Sequence, residues 1–408
     1  MPYFTEIDSY YNYRLTENYL KNGQLGDTVV NGTSWDSLST SPNGREVNYQ
    51  PIIVILAALV YKFVNMFGSV SLTQVAFWLG PIIGSLAVLP AFYIVRRATG
   101  NTWGAIVAGV IAGAAPAYFS HTYGGFFDTD MFNVLLPLMI VVFLTESVYA
   151  SKPLFKGLYA GIASLFLGLF ALSWSGYTYM VLLTFGTLIL FIPISYIMDK
   201  KDGKDLSNKK QWLKNNPATL PLVVFIILSI IILALTVGSS MFESITTVLG
   251  SATSLQSATA GTANQSGGLF SLLYAVAALF LMGYVLRKKP VNKDKKDETE
   301  EKTETIEDKK PRNRRYTPKT KKAEEVMHHE DVFKPGRYEL TSKEKYNNLF
   351  LYVLTLLWIL GIAIMLTQGT RFIEQFAVPV ALLSGLFVGI MVKYIDLKTE
   401  KYSYVALI

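Results

Sequence analysis

Two carboxylates one residue apart, Asp128 and Asp130, close the segment Ser120-His-Thr-Tyr-Gly-Gly-Phe-Phe-Asp-Thr-Asp130. A strongly apolar run ends just before this segment and another starts at Met131. An acid close to a bilayer is costly unless something neutralises it, so a pair placed there points to a divalent cation. The chain has no cysteine and only three histidines, His121, His328 and His329, which excludes thiolate and His-rich metal sites. Carboxylates remain as ligands, and they select a hard cation, Mg²⁺ or Mn²⁺. The competing reading is a solvated loop in which Asp130 caps the next helix. A second acidic cluster, Glu6-Ile-Asp-Ser-Tyr-Tyr-Asn-Tyr-Arg14, contains Asp8, which reads either as a ligand or, with Ser9 as the other choice, as the N-cap of a helix over Tyr10–Leu20. Arg371, after Gly369-Thr370, reads either as an interfacial anchor or as a bidentate holder of phosphate oxygens.

The elements that must position these groups are membrane helices. The 408 residues are 51% hydrophobic and 16% charged, and the mean hydropathy is +0.33, a balance that soluble globular domains of this size do not show. The reading is an all-α polytopic membrane protein with long external loops. Apolar runs lie at Ile52–Phe67, Leu72–Val95, Trp103–Phe119, Met131–Tyr149, Leu154–Leu172, Tyr177–Met198, Leu220–Val237, Leu269–Leu286, Leu349–Leu366 and Phe372–Val392. A crossing helix needs about 17–25 apolar residues. Ile52–Phe67 is the shortest, follows Pro51 and holds Lys62, so it is read as interfacial or re-entrant, leaving nine spans.

With that choice the basic segments, from Arg96-Arg97 through Lys200–Lys214 to Lys393 and beyond, fall on one side, the cytoplasm by the positive-inside rule. Asp8, the 120–130 loop, the 240–267 loop and Arg371 then share the opposite, extracytoplasmic face of the cell membrane. The net charge of +7 need not mean nucleic acid, since the basic residues cluster between apolar segments; membrane lipid is the expected surrounding. The chain divides into an external loop with an interfacial helix (1–71), a helical region (72–286), a charged tract expected to be disordered in the cytoplasm (287–347), and further helices (348–408). No signal-peptide pattern opens the chain.

Four stretches in order, Ile-Asp-Ser-Tyr-Tyr-Asn-Tyr-Arg-Leu-Thr-Glu-Asn-Tyr-Leu (7–20), Ser-His-Thr-Tyr-Gly-Gly-Phe-Phe-Asp-Thr-Asp-Met (120–131), Ser-Trp-Ser-Gly-Tyr (173–177) and Gly-Thr-Arg-Phe (369–372), resemble the catalytic subunit of oligosaccharyltransferase, above all its archaeal type. The resemblance implies a GT-C glycosyltransferase-like helical bundle. It also implies transfer of an oligosaccharide from a dolichyl phosphate or pyrophosphate carrier to asparagine in Asn-X-Ser/Thr sequons, with Mn²⁺ or Mg²⁺ as cofactor. By that likeness Asp8, Asp128 and Asp130 are metal ligands and catalytic residues. Arg371 contacts the donor phosphate, as does His121, which stands where several relatives have an arginine. The family's fifth-loop glutamate has no motif match; Glu243, before Ser-Ile-Thr-Thr, is the acid left for that role.

Two further family features are not seen here: a helix ahead of the first acidic loop and a Trp-Trp-Asp-Tyr-Gly motif. Residues 1–408 are therefore expected to act as an incomplete catalytic subunit that binds donor rather than completing transfer. Two readings stay beside this one: a non-catalytic protein binding or transporting lipid-linked glycan, and another GT-C transferase that uses a polyprenyl-phosphate sugar.

Overall fold

The computed structural model describes residues 3–47, 51–238, 269–287, 342–366 and 372–396. Helix α1 (Ile7–Asn22) starts the chain and ends at Gly23, whose positive φ lets its N–H return to the Tyr19 carbonyl. Three short strands follow, β1 (Thr28–Val30), β2 (Thr33–Asp36) and β3 (Arg45–Glu46), paired antiparallel in that order. This small sheet lies within the expected external loop and was not foreseen from the sequence. It is tied to α1 by a salt bridge from Arg14 to Asp36, which is fully buried and also accepts from Ser39.

The helices α2 (Ile52–Val64), α3 (Leu72–Leu86) and α4 (Val88–Thr99) come next. The run read as one segment from Leu72 breaks at Ala87, where Pro90 has no N–H to give the Leu86 carbonyl. α5 (Thr102–Ala114) is ended by Pro116, which disfavours helical geometry at Ala115, and α6 (Pro116–Phe119) delivers the chain to the 120–131 segment. A 3₁₀ turn at Thr129–Met131 leads into α7 (Phe132–Tyr149), then α8 (Pro153–Ala171). After a second 3₁₀ turn, Ser175–Tyr177, come α9 (Thr178–Lys201), α10 (Lys209–Asn215) and α11 (Thr219–Thr236). α12 (Leu269–Leu286), α13 (Ser342–Leu366) and α14 (Ile373–Asp396) complete the described bundle.

Seven of these segments are long and apolar enough to cross a membrane, from Leu72–Thr99 to Ile373–Lys393. The protein is a multi-pass helical membrane protein. Three apolar helices are shorter: Ile52–Val64, read above as interfacial, and Thr102–Ala114 and Leu273–Leu286, which belong to expected spans. α14 is the most enclosed of the seven, and α5 packs against it closely. A Cβ on Gly104 would meet the Gly385 carbonyl at 2.4 Å, and one on Gly385 would meet the Gly104 carbonyl at 2.5 Å. Gly385 and Gly389 form a Gly-x-x-x-Gly stripe facing Gly104 and Ala108. Between lipid-embedded helices such close backbone approach supplies the packing energy that apolar area alone does not.

At the end of the bundle away from the acidic loops, α13 begins at Ser342, inside the charged tract. Lys345 is buried there and donates to both oxygens of Asp202 at 2.8 and 2.7 Å. Tyr346 donates to Asp199, which also accepts from Trp212 at 2.8 Å and pairs with Lys204. These partners explain why the end of the tract enters a helix: Lys345 finds its counter-charge at Asp202, which caps the end of α9, and Tyr346 an acceptor at Asp199. Glu243, Arg371, the 240–267 loop and residues 288–341 of the charged tract lie outside the described residues.

Candidate active site

α1 is locked onto the 120–131 segment by its polar face. Ser9 Oγ accepts from the Phe127 N–H at 2.9 Å, and Asn12 Nδ2 donates to the Phe127 carbonyl at 3.0 Å and to Asp128 Oδ1 at 3.2 Å. Ser9 and Asn12 are three residues apart, one turn along the helix, and both are fully buried. Gly125, at φ +92°, completes the junction: its N–H meets the Phe77 carbonyl of α3 at 3.0 Å and its carbonyl accepts from the Thr5 N–H at 3.2 Å. A Cβ there would sit 2.9 Å from the Tyr3 carbonyl, so the Gly-Gly pair permits the close approach. From below, Tyr118 of α6 donates its hydroxyl to the Met131 carbonyl at 2.7 Å.

The first consequence is that Asp8 and Asp128 meet. Glu6, Asp8 and Asp128 each offer a carboxylate oxygen, and these oxygens lie within 4.8 Å of one another. The cap alternatives fall away. α1 begins at Ile7, with Glu6 at the N-cap position making no side-chain cap bond; Asp8 lies exposed in the first turn, and Ser9 spends its oxygen on Phe127. Capping of the 3₁₀ turn falls to Asp128, which accepts from the Thr129 N–H at 2.6 Å, not to Asp130.

No ion pair neutralises this trio among the described residues, and Glu6 Oε2 is buried with no hydrogen-bond partner. Burial raises the Glu6 carboxyl above its ordinary range, helped by repulsion from Asp128 and Asp8. Burial likewise raises Asp128, with Asp8 adding repulsion against the bonds from Thr129 and Asn12. Three crowded carboxylate oxygens, hard ligands, together with the unpartnered Glu6 Oε2, fit a divalent cation. Such an ion would relieve both the burial and the repulsion.

The second consequence separates Asp130 from that trio. Asp130 gathers instead with His121 and Glu374, again with ligand atoms within 4.8 Å. His121 pairs through Nδ1 with Glu374, and the same nitrogen lies 2.8 Å from the Ala117 carbonyl. Pairing with Glu374 raises the imidazole to about 9, so His121 is cationic at neutral pH. Asn133 Nδ2 donates to Asp130 Oδ1 at 2.9 Å and to Glu374 Oε2 at 3.2 Å. The site thus has an acidic pole at Glu6, Asp8 and Asp128, and a mixed pole at His121, Asp130 and Glu374.

Glu6 and Glu374 carry no role in the sequence reading. Glu6 stands two residues before Asp8 in the same acidic cluster. Glu374 is the one acid inside the apolar run Phe372–Val392, and an isolated acid in a membrane segment is the signal that would have found it.

A family model described as oligosaccharyl transferase STT3, N-terminal, matches residues 1–285. The chain is similar to a dolichyl-phosphooligosaccharide-protein glycotransferase of Methanococcus voltae, 33% identical over 215 residues, covering 50% of this chain and 23% of that protein. The protein of the same description from Methanocaldococcus jannaschii is 34% identical over 156 residues, covering 37% of this chain and 17% of the relative. Among solved structures, it resembles the archaeal oligosaccharyltransferase AglB of Archaeoglobus fulgidus in complex with an inhibitory peptide and a dolichol-phosphate, with a TM-score of 0.55 at 14% identity. That match covers 96% of this chain and 47% of the other. A crystal structure of the Archaeoglobus fulgidus enzyme complexed with Zn and sulfate matches with a TM-score of 0.53 at 15% identity, over 98% of this chain and 47% of the other. The fold is therefore that of AglB, and the chain spans about half the length of those structures and less than a quarter of the curated relatives it matches.

Proposed function

The chain belongs to the oligosaccharyl transferase STT3 family, and from that premise we propose that it forms the donor and metal site for transfer of an oligosaccharide from a dolichyl phosphate or pyrophosphate carrier to asparagine in Asn-X-Ser/Thr sequons. The observation that carries this reading is the union of Asp8, in the first turn of α1, with Asp128, over a hundred residues away, in a carboxylate cluster with no ion-pair partner among the described residues. The site is assigned to the extracytoplasmic face of the cell membrane, opposite the Lys345–Asp202 end. The dolichol-phosphate in the AglB complex supports a lipid-linked donor.

Asp8 and Asp128, with Glu6 beside them, are the residues that would hold Mn²⁺ or Mg²⁺. Such a cation supplies Lewis-acid stabilisation of the phosphate leaving group. The chemical difficulty is the nucleophile, because an amide nitrogen's lone pair is delocalised into its carbonyl. Asp8, exposed at the rim, is free to accept an N–H of the acceptor amide and orient it. Asp128 is held in place by Asn12 and Thr129, so its orientation precedes substrate binding. His121 brings a positive charge for the donor phosphate to the side of the site away from the trio. Catalysis on this scheme is positioning and electrostatics. Arg371 is proposed as a second phosphate contact and Glu243 as a further loop acid, both on the family likeness alone.

Asp8→Ala and Asp128→Ala should each lower transfer of glycan to a fluorescent Asn-X-Thr peptide by about 100-fold or more, measured on the protein as its gene encodes it. Transfer unchanged in Asp128→Ala would remove the metal assignment. Tight donor binding that ignores both Mn²⁺ and these substitutions, with no transfer, would establish the binding-only alternative.

A further inference from the structure

Glu374 is an acid with 4% exposure at the start of a membrane helix. Its place in the first turn of α14 gives it the favourable end of the helix dipole. Its side chain, however, points its bonding capacity across the bundle. It pairs with His121 of the 120–131 segment and accepts from Asn133 of α7, which precedes it by 241 residues. Burying a carboxylate costs several kcal/mol unless its partners satisfy it well, and both partners here belong to the candidate site.

The geometry at His121 shows what the pairing does. Nδ1 is taken by Glu374 and the Ala117 carbonyl, and the ring stands edge-on to Phe126 at 5.1 Å between centroids. Two contacts on one nitrogen and a packed ring fix the plane of the imidazole. Nε2, on a side chain 41% exposed, is then directed away from Glu374. A carboxylate behind a histidine sets which nitrogen faces outward, the arrangement found behind histidine ligands generally.

Resting on the reading that His121 meets the donor phosphate, we infer that Glu374 is a positioning residue that holds the His121 ring with Nε2 toward the phosphate of a polyprenyl-phosphate donor. It touches neither the donor nor the reacting atoms. Its bond with Asn133 secures α14 to α7, while the bond with His121 serves the donor.

The test is equilibrium binding of dolichyl phosphate to the chain in lipid nanodiscs with EDTA present, and of Mn²⁺ separately without lipid phosphate. Glu374→Gln, which keeps shape and removes charge, should weaken dolichyl phosphate binding about tenfold and leave Mn²⁺ affinity within about twofold. His121→Gln should do the same, and the double variant should be no worse than either single one, because the two act as a unit. Ser384→Ala, which cuts a bond from α14 to the Ser271 carbonyl of α12 and lies away from the histidine pair, should leave dolichyl phosphate affinity unchanged.

Unchanged binding in Glu374→Gln, additive losses in the double variant, or an equal loss in Ser384→Ala would each overturn the inference, the last by showing general loosening. Loss of Mn²⁺ affinity in Glu374→Gln would overturn it differently, making Glu374 a metal ligand. If the wild-type chain binds dolichyl phosphate no better than dolichol, the functional reading falls as well, and the inference with it.

Discussion

The charge on His121 depends on Glu374, and that dependence gives the site a pH profile with a definite sign. An unperturbed histidine titrates near 6.5; here the paired imidazole titrates at about 9. A pKa raised by folding gives a contribution that is fully present below about 6.5 and lost as pH rises through about 9. Dolichyl phosphate binding should therefore hold level across neutral pH and fall near 9, and His121→Arg should move the fall beyond that range. A fall centred near 6.5 would mean the pair does not form. At this scale the sequence was informative where residue type and flanks sufficed: Asp128 and Asp130 stood out as acids between apolar runs, and Asp8 within an acidic cluster. It did not divide them, because Asn12 ties Asp128 to the helix that carries Asp8, and Asn133 ties Asp130 to Glu374, and both are neutral residues with no signature of their own. Glu374 showed itself only as an isolated acid in an apolar run, because its partners lie far away in sequence.

Elements hold these residues by close approach rather than by area. α1 has little amphipathic character, yet Ser9 and Asn12 place it on the 120–131 segment through three hydrogen bonds. α14, which carries Glu374, is fixed laterally by the contact of Gly385 and Gly389 with α5. Gly385→Leu should force these helices apart and lower stability by about 1–3 kcal/mol, the usual cost of overpacking, read as a drop in the thermal midpoint in detergent. It should also weaken donor binding by displacing Glu374. Gly361→Ala on α13, where an added Cβ meets nothing within 4 Å, should be neutral or slightly stabilising. Equal midpoints for both variants would show that the α5–α14 contact is not tight. Apolar run length located most of these helices, since it reports burial in lipid directly. It missed the break at Ala87 and the early start of α13 at Ser342, which depend on a proline and on buried counter-charges.

The whole molecule joins a lipid-facing helical bundle to a capping layer made of α1, the small sheet and the 120–131 segment. The helical class followed from hydropathy alone, and the reading of Ile52–Phe67 as interfacial left Asp8 and Asp128 on one side, where the structure has them together. The sheet at 28–46 escaped the sequence because its strands are two to four residues long and mostly exposed, too short for alternation to register. The first turn of α1 and the distant 120–131 segment are proposed to make one cation site, and Mn²⁺ binding to the chain in nanodiscs reads this out. One Mn²⁺ per chain is expected, with affinity lost in Asp8→Ala and equally in Asp128→Ala; affinity kept within about twofold in either single variant would mean that the two segments do not share an ion.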